Sequence, residues 1–245
     1  MPGCLVNGEC VYSNECSGKF DWNRCPIETR PNRKSKRITT KVANHLKNIT
    51  GYRPHVVVMN LHRTLVDADA NRDEGAQNDV TRSVWYDFHN FISIAKTKVK
   101  GKGLLIDIHS HKNMHGLVEL SYGIEKSKLT SDNHLLDMTK TSLRSLTQRN
   151  GLEDFIRGVN SLGGLLQRRH IESVPSPSFP SPTFSMGYTD KQTITKVYGS
   201  LYGGNIDAVR VSVPKKYCVR KQIKVFSKLL AESIHEFVKE NDYST

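Results

Sequence analysis

The stretch Gly103-Leu-Leu-Ile-Asp-Ile-His-Ser-His-Lys-Asn-Met-His-Gly-Leu-Val-Glu-Leu-Ser-Tyr-Gly123 decides how the rest of the chain is read. Its apolar run, Leu104 to Ile108, has the length and branching of a strand buried on both faces. Side chains alternate along a strand, so Asp107, His109 and His111 fall on one side of the sheet while the strand lasts. A carboxylate and an imidazole at the C-terminal end of a buried strand occupy the place where open α/β sheets put their ligand chemistry. His115 and Glu119 follow within ten residues of His109. Neutral imidazole is the commonest metal ligand, and a neighbouring Asp can orient it through its second nitrogen.

Strands and helices alternate on either side of this stretch. Ile38, Val42, Leu46 and Ile49 share one face of a helix starting near Ser35, with Gly51 as its stop. His55 to Met59 reads as a second buried strand. Residues 60–79 are polar and irregular, long for a connection, and so a candidate functional loop. A helix over about 80–98 carries Val84, Trp85, Phe88, Phe91, Ile92 and Ala95. After Tyr122 two helices are expected, one with Leu135, Leu136, Leu143 and Leu146, the other with Phe155 through Leu166, weakened at its end by Gly163-Gly164. Residues 174–190, rich in Pro and Ser, read as a surface loop. A Gly-rich turn over 198–205 leads into a strand at 208–213, closed by Pro214. A last helix over 217–239 buries Ile223, Phe226, Leu230, Ile234, Phe237 and Val238. This alternation predicts an α/β fold, a three-layer αβα sandwich with a mixed, largely parallel sheet. It fills residues 35–243, preceded by an irregular Cys-rich segment over 1–34.

Composition narrows the classes. The 245 residues are 37% hydrophobic and 24% charged, enough to bury a core and too ordered in pattern for wholesale disorder. No apolar run reaches the roughly 20 residues of a membrane span. The net charge of +12 draws anionic partners. Its cations are spread along the chain without an RNA-binding signature or zinc-finger spacing, so no specific nucleic acid is expected. Cys4, Cys10, Cys16 and Cys25 crowd the first 25 residues, with Cys218 far away. Their spacing suits disulfide staples and an oxidising, extracellular or secretory setting. The Asn48-Ile-Thr50 sequon agrees with this. Met1-Pro-Gly-Cys4 shows no signal peptide, which leaves a cytoplasmic location as the alternative.

Two other places offer chemistry. In the loop 60–79, Arg63 and Arg72 present planar forks suited to a substrate carboxylate, and Asn71 adds an amide. A salt-bridged, capped loop accounts for the same residues. At Gly199-Ser-Leu-Tyr-Gly-Gly-Asn-Ile-Asp207 the glycines permit close backbone approach to a ligand, or simply make a turn.

Taken in order, these segments resemble a known family. Asp107-Ile-His109-Ser is similar to the strand-end motif of zinc carboxypeptidases, whose histidine is the last metal ligand. The closer resemblance is to N-formylglutamate amidohydrolase-like proteins. It runs through Arg53-Pro-His-Val-Val-Val58, Leu61-His-Arg63, Asp69-Ala-Asn-Arg72, Leu105-Ile-Asp-Ile-His109, Glu119-Leu-Ser-Tyr-Gly123, Ser161-Leu-Gly-Gly-Leu-Leu166 and Tyr198 to Ala208. The resemblance implies a zinc carboxypeptidase-like fold and zinc as cofactor, with His109 as a ligand. It implies Arg63, Asp69, Asn71 and Arg72 as the holders of a small-molecule carboxylate substrate. The reaction it implies is hydrolysis of the amide of an N-acyl amino acid.

Two departures qualify that expectation. The family's other two ligands come from a Pro-His-Gly-type segment, and no histidine here precedes His45. That predicts a chain beginning inside the domain. Ser212 stands where the relatives carry a glutamate general base, and a hydroxyl cannot take a proton near neutral pH. Glu119 is the candidate substitute as base or ligand, and His111 and His115 could join His109 in a rearranged metal site. The sequence therefore supports a zinc-dependent amidohydrolase-like protein, or a degenerate member that binds a carboxylate or other anion.

Overall fold

The structure, a computed structural model, describes residues 4–6, 9–11, 33–113, 115–130, 136–137, 139–146, 151–183 and 193–243. The chain divides into two compact units, Met1–Asn32 with Val57–Ile94, and Arg33–Val56 with Ala95–Thr245.

In the first unit, β1 (Cys4–Val6) and β2 (Glu9–Val11) pair antiparallel, so the N-terminal segment is not wholly irregular as expected. Cys16 and Cys25 lie outside the described residues, as do the side chains of Cys4 and Cys10.

α1 (Arg33–Thr50) belongs to the second unit and ends as its sequence predicts. Gly51 adopts φ +79°, and its N–H donates to the Lys47 carbonyl. Residues 55–59 are mostly half-buried but join no ladder among the described residues, which corrects the predicted strand. A β-branched run favours a strand only where cross-strand neighbours and burial support it.

The loop 60–79 contains a short helix, α2 (Arg72–Gly75), and leads to α3 (Asp79–Lys98). The buried face of α3 centres on His89 and Ile92, with Trp85 stacked on His89 at 3.7 Å. Phe91, expected in the core stripe, is exposed because it sits 100° round the helix from Ile92.

The second unit is built on a four-stranded mixed sheet. Its strands are β3 (Gly103–His111), β4 (Val118–Ser121), β5 (Ser173–Val174) and β6 (Ile206–Pro214), in the order β3-β6-β4-β5. β3 with β6 and β4 with β5 are parallel; β4 with β6 is antiparallel. This establishes an α/β architecture. β4 and β5 are too short for periodicity to reveal, and β5 opens the Pro/Ser stretch expected to be surface loop, where Val174, Pro175 and Ser176 are buried.

The predicted helix through Leu143 and Leu146 is a turn over 142–146 preceded by a short helix, α4 (Lys126–Thr130); Leu135 lies outside the described residues. The predicted helix over 155–166 is two, α5 (Leu152–Arg157) and α6 (Leu162–Arg168), broken at Gly158. Gly163 and Gly164 lie inside α6 rather than weakening its end. A side chain on Gly163 would collide with the Pro175 carbonyl, so the glycine permits α6 to rest directly on that backbone.

α7 (Thr193–Tyr198) precedes β6, and α8 (Arg220–Glu240) ends the fold. Ile223, Phe226, Leu230, Ile234 and Phe237 of α8 recur at helical spacing and are all buried. With Ile38 and Val42 of α1 they cover the sheet face formed by Val118, Leu120, Val209, Val211 and Val213.

A candidate site on the polar face of the sheet

Because α1 and α8 take the apolar face, the alternate residues of β3, β6 and β4 point to the other side. The register brings them into rows. Asp107, Arg210 and Ser121 form one row; His109, Ser212 and Glu119 form the next; His111 stands beside Pro214. Directly paired residues carry their side chains on the same face. Thus a carboxylate, a guanidinium, imidazoles, a hydroxyl and a second carboxylate gather where β3 and β6 end.

His109 is fixed by Asp107. Its Nε2 donates to Oδ1 at 2.9 Å and Oδ2 at 3.0 Å. A neutral imidazole so bonded carries its lone pair on Nδ1. Among the described residues, no group donates to that nitrogen. Burial pushes the Asp107 carboxyl up, but the interaction and hydrogen bond with His109, with the Arg210 guanidinium beyond it, outweigh this and hold it below the usual carboxylate range. Arg210 Nη1 lies 4.0 Å from Asp107 Oδ2.

Glu119 is 2% exposed and held by two donors, His115 Nε2 at 2.9 Å and the Asn113 side-chain amide. His111 Nε2 stands 4.0 Å from the same carboxylate oxygen and 3.0 Å from the Leu117 carbonyl. Burial lowers the His111 pKa against the opposing pull of Glu119 and that carbonyl.

His111, His115 and Glu119 offer ligand atoms all within 4.8 Å of one another, a spacing a cation could occupy. Their hydrogen bonds say otherwise. Asn113 N–H donates to His111 Nδ1 at 3.1 Å, and Leu117 N–H donates to His115 Nδ1 at 3.0 Å. Both neutral rings therefore carry their proton on Nε2, the atom facing Glu119, and offer a metal no lone pair there. Of the three histidines, His109 alone has the nitrogen and the carboxylate support that fit a zinc ligand.

The four residues expected to hold a carboxylate lie in the first unit. Arg63 Nε pairs with Asp67 at 2.7 Å. The Asp69 N–H donates to Asp67 Oδ1 at 3.1 Å. Asn71 caps α2, its Oδ1 accepting from Glu74 N–H at 3.0 Å. Arg72 donates to Asp73 at 2.8 Å and to the Tyr86 hydroxyl at 2.9 Å. The alternative of a capped, salt-bridged loop is what these side chains form.

Sequence reasoning missed Arg210 and Asn113. Arg210 was legible in principle: in Val209-Arg-Val-Ser-Val213 the polar residues alternate with valines, so Arg210 and Ser212 share a face. Asn113 carried no such signal.

No protein-family model, no curated protein and no solved structure matches this chain.

Proposed function

We propose that this chain is a zinc-dependent amidohydrolase-like protein of zinc carboxypeptidase-like fold, acting on the amide of an N-acyl amino acid. One observation carries the reading. His109, locked by Asp107 with Nδ1 open, stands in the same sheet row as the buried carboxylate of Glu119. A histidine ligand and a carboxylate base on one rigid surface is what hydrolysis of an unactivated amide requires. His109 would hold the metal, which when bound supplies Lewis acidity toward the scissile carbonyl. Asp107 keeps the imidazole in the tautomer that leaves Nδ1 free. Glu119, steadied by His115 and Asn113, takes the proton of the attacking water. The substrate class follows from the resemblance described above.

A second reading has its own support. Ser212 occupies the middle of the row, and the lone pairs of His111 and His115 are spent on backbone N–H groups. A catalytic zinc needs three protein ligands, so this arrangement also suits a member that binds a carboxylate or other anion without turning it over.

Elemental analysis of the dialysed protein separates the two. About one zinc per chain, lost in H109A, together with hydrolysis of N-formylglutamate or another N-acylglutamate, supports the enzyme. Absence of metal after zinc loading, with no hydrolysis, supports the binding reading.

A further inference from the structure

The opposite end of the same sheet carries a second feature. A cavity of about 340 Å³ is lined by Lys102, Arg144, Ser145, Ser200 and the loop 203–205. Lys102 immediately precedes β3, and the loop immediately precedes β6. The parallel pairing therefore brings these two lead-ins side by side. Six residues of β6, about 20 Å of strand, separate this loop from Ser212.

The cavity is built rather than incidental. The Asn205 side-chain amide donates to the Gly101 carbonyl, joining the two lead-ins. Beneath them Asp207, fully buried, accepts from Ser145 Oγ at 2.5 Å, Ser145 N–H at 3.2 Å, the Ser200 hydroxyl, and Tyr243 Oη at 2.8 Å. Those donors saturate the carboxylate and turn its hydrogen-bonding capacity inward, so the floor is fixed before any ligand arrives. At the rim Arg144 Nη1 lies 3.5 Å from the Leu201 carbonyl, which places the guanidinium beside the loop. Lys102 forms no ion pair among the described residues.

Gly203 and Gly204 adopt φ +99° and +97°, with nothing within 4 Å of where a Cβ would stand. Their conformation, rather than crowding, calls for glycine. Among the described residues, the N–H groups of Gly204 and Asn205 donate to no acceptor. Two cations, and two consecutive residues whose N–H groups donate to no acceptor among the described residues, line this one cavity, a donor set suited to an oxyanion.

We infer that this cavity is an oxyanion-binding site, taking the phosphate or carboxylate group of a small ligand, separate from the row at His109. It stands whether or not the hydrolase reading holds.

Titration calorimetry of the full chain with inorganic phosphate tests it. Saturable binding of one phosphate is expected, weakened at least about tenfold in K102Q/R144Q and retained in H109A. The control K221Q/K224Q removes two exposed cations of α8, leaves the cavity intact and should bind as the parent does. Far-UV circular dichroism checks that K102Q/R144Q is folded. Acetate binding as tightly as phosphate assigns the site to carboxylates; phosphate binding alone assigns it to phosphoryl groups. Absence of saturable binding of either ion overturns the inference. So does equal weakening by K221Q/K224Q, which would reduce the effect to the +12 net charge of the chain.

Discussion

His109 and Glu119 are both direct ladder partners of Ser212, one across the parallel pair of β3 and β6, the other across the antiparallel pair of β6 and β4. Ten residues apart in sequence, they flank the position where the resemblance places a general base. Glu119 thus brings its carboxylate from the next strand to the row where Ser212 has none.

That relationship predicts the behaviour of a restored glutamate. In S212E two carboxylates would face each other at about 5 Å between Cβ atoms in a buried row, a like-charge pair. Urea unfolding should show a loss of about 1–3 kcal/mol. The exchange E119S/S212E keeps one carboxylate in the row and should recover most of that loss. Equal destabilisation of the two variants would show that the row does not confine the charge.

Asp107 is expected to act through His109. In D107N the side-chain shape is kept, but the charge that fixes the imidazole is gone. Zinc affinity, measured by competition with a chromogenic chelator, should fall about 10–100-fold. The loss of a buried charge partner from Arg210 and His109 should also cost roughly 3 kcal/mol of stability. Unchanged zinc affinity in D107N would remove His109 from the metal reading.

The buried His89 gives a pH dependence. Burial lowers its pKa, against the smaller opposing effects of the Ala68 carbonyl and Asp69. The unfolded chain takes up the proton near pH 6.5, before the folded one does. The His89 contribution is therefore fully present above that pH and is lost as the pH falls toward the depressed folded value. Urea unfolding at pH 7.5 and 5.5 should show the parent weaker at the lower pH, with a smaller difference in H89Q. An equal difference in both would place the pH dependence elsewhere.

Tyr243 closes the C-terminal end of the described chain onto Asp207. Burial, and then the charge and hydrogen bond of Asp207, push its hydroxyl pKa up, so it stays a donor throughout the ordinary pH range. Y243F removes one donor from a fully buried carboxylate and should cost about 2 kcal/mol in thermal or urea unfolding. A change below about 0.5 kcal/mol would show that the three remaining donors suffice.

The sequence by itself determined the elements whose signal is periodic and local. β3, β6, α1 and α8 stand within a few residues of where their apolar spacing puts them, because a long buried face must repeat at the period of its backbone. It also singled out Asp107 and His109, since a carboxylate and an imidazole inside an apolar run contradict burial unless they pair. Tertiary structure decided the rest. β4 and β5 exist only because an edge was available to receive them, whereas the β-branched residues 55–59 join no ladder among the described residues. Arg210 and Glu119 joined the rows of Asp107 and His109 through pairing to β6, a register that couples residues about a hundred positions apart and leaves no trace in either segment alone. The tautomers of His111 and His115 were set by two backbone N–H groups in the bend between β3 and β4. A sequence shows that a histidine is present, while only the folded backbone fixes which nitrogen keeps its proton.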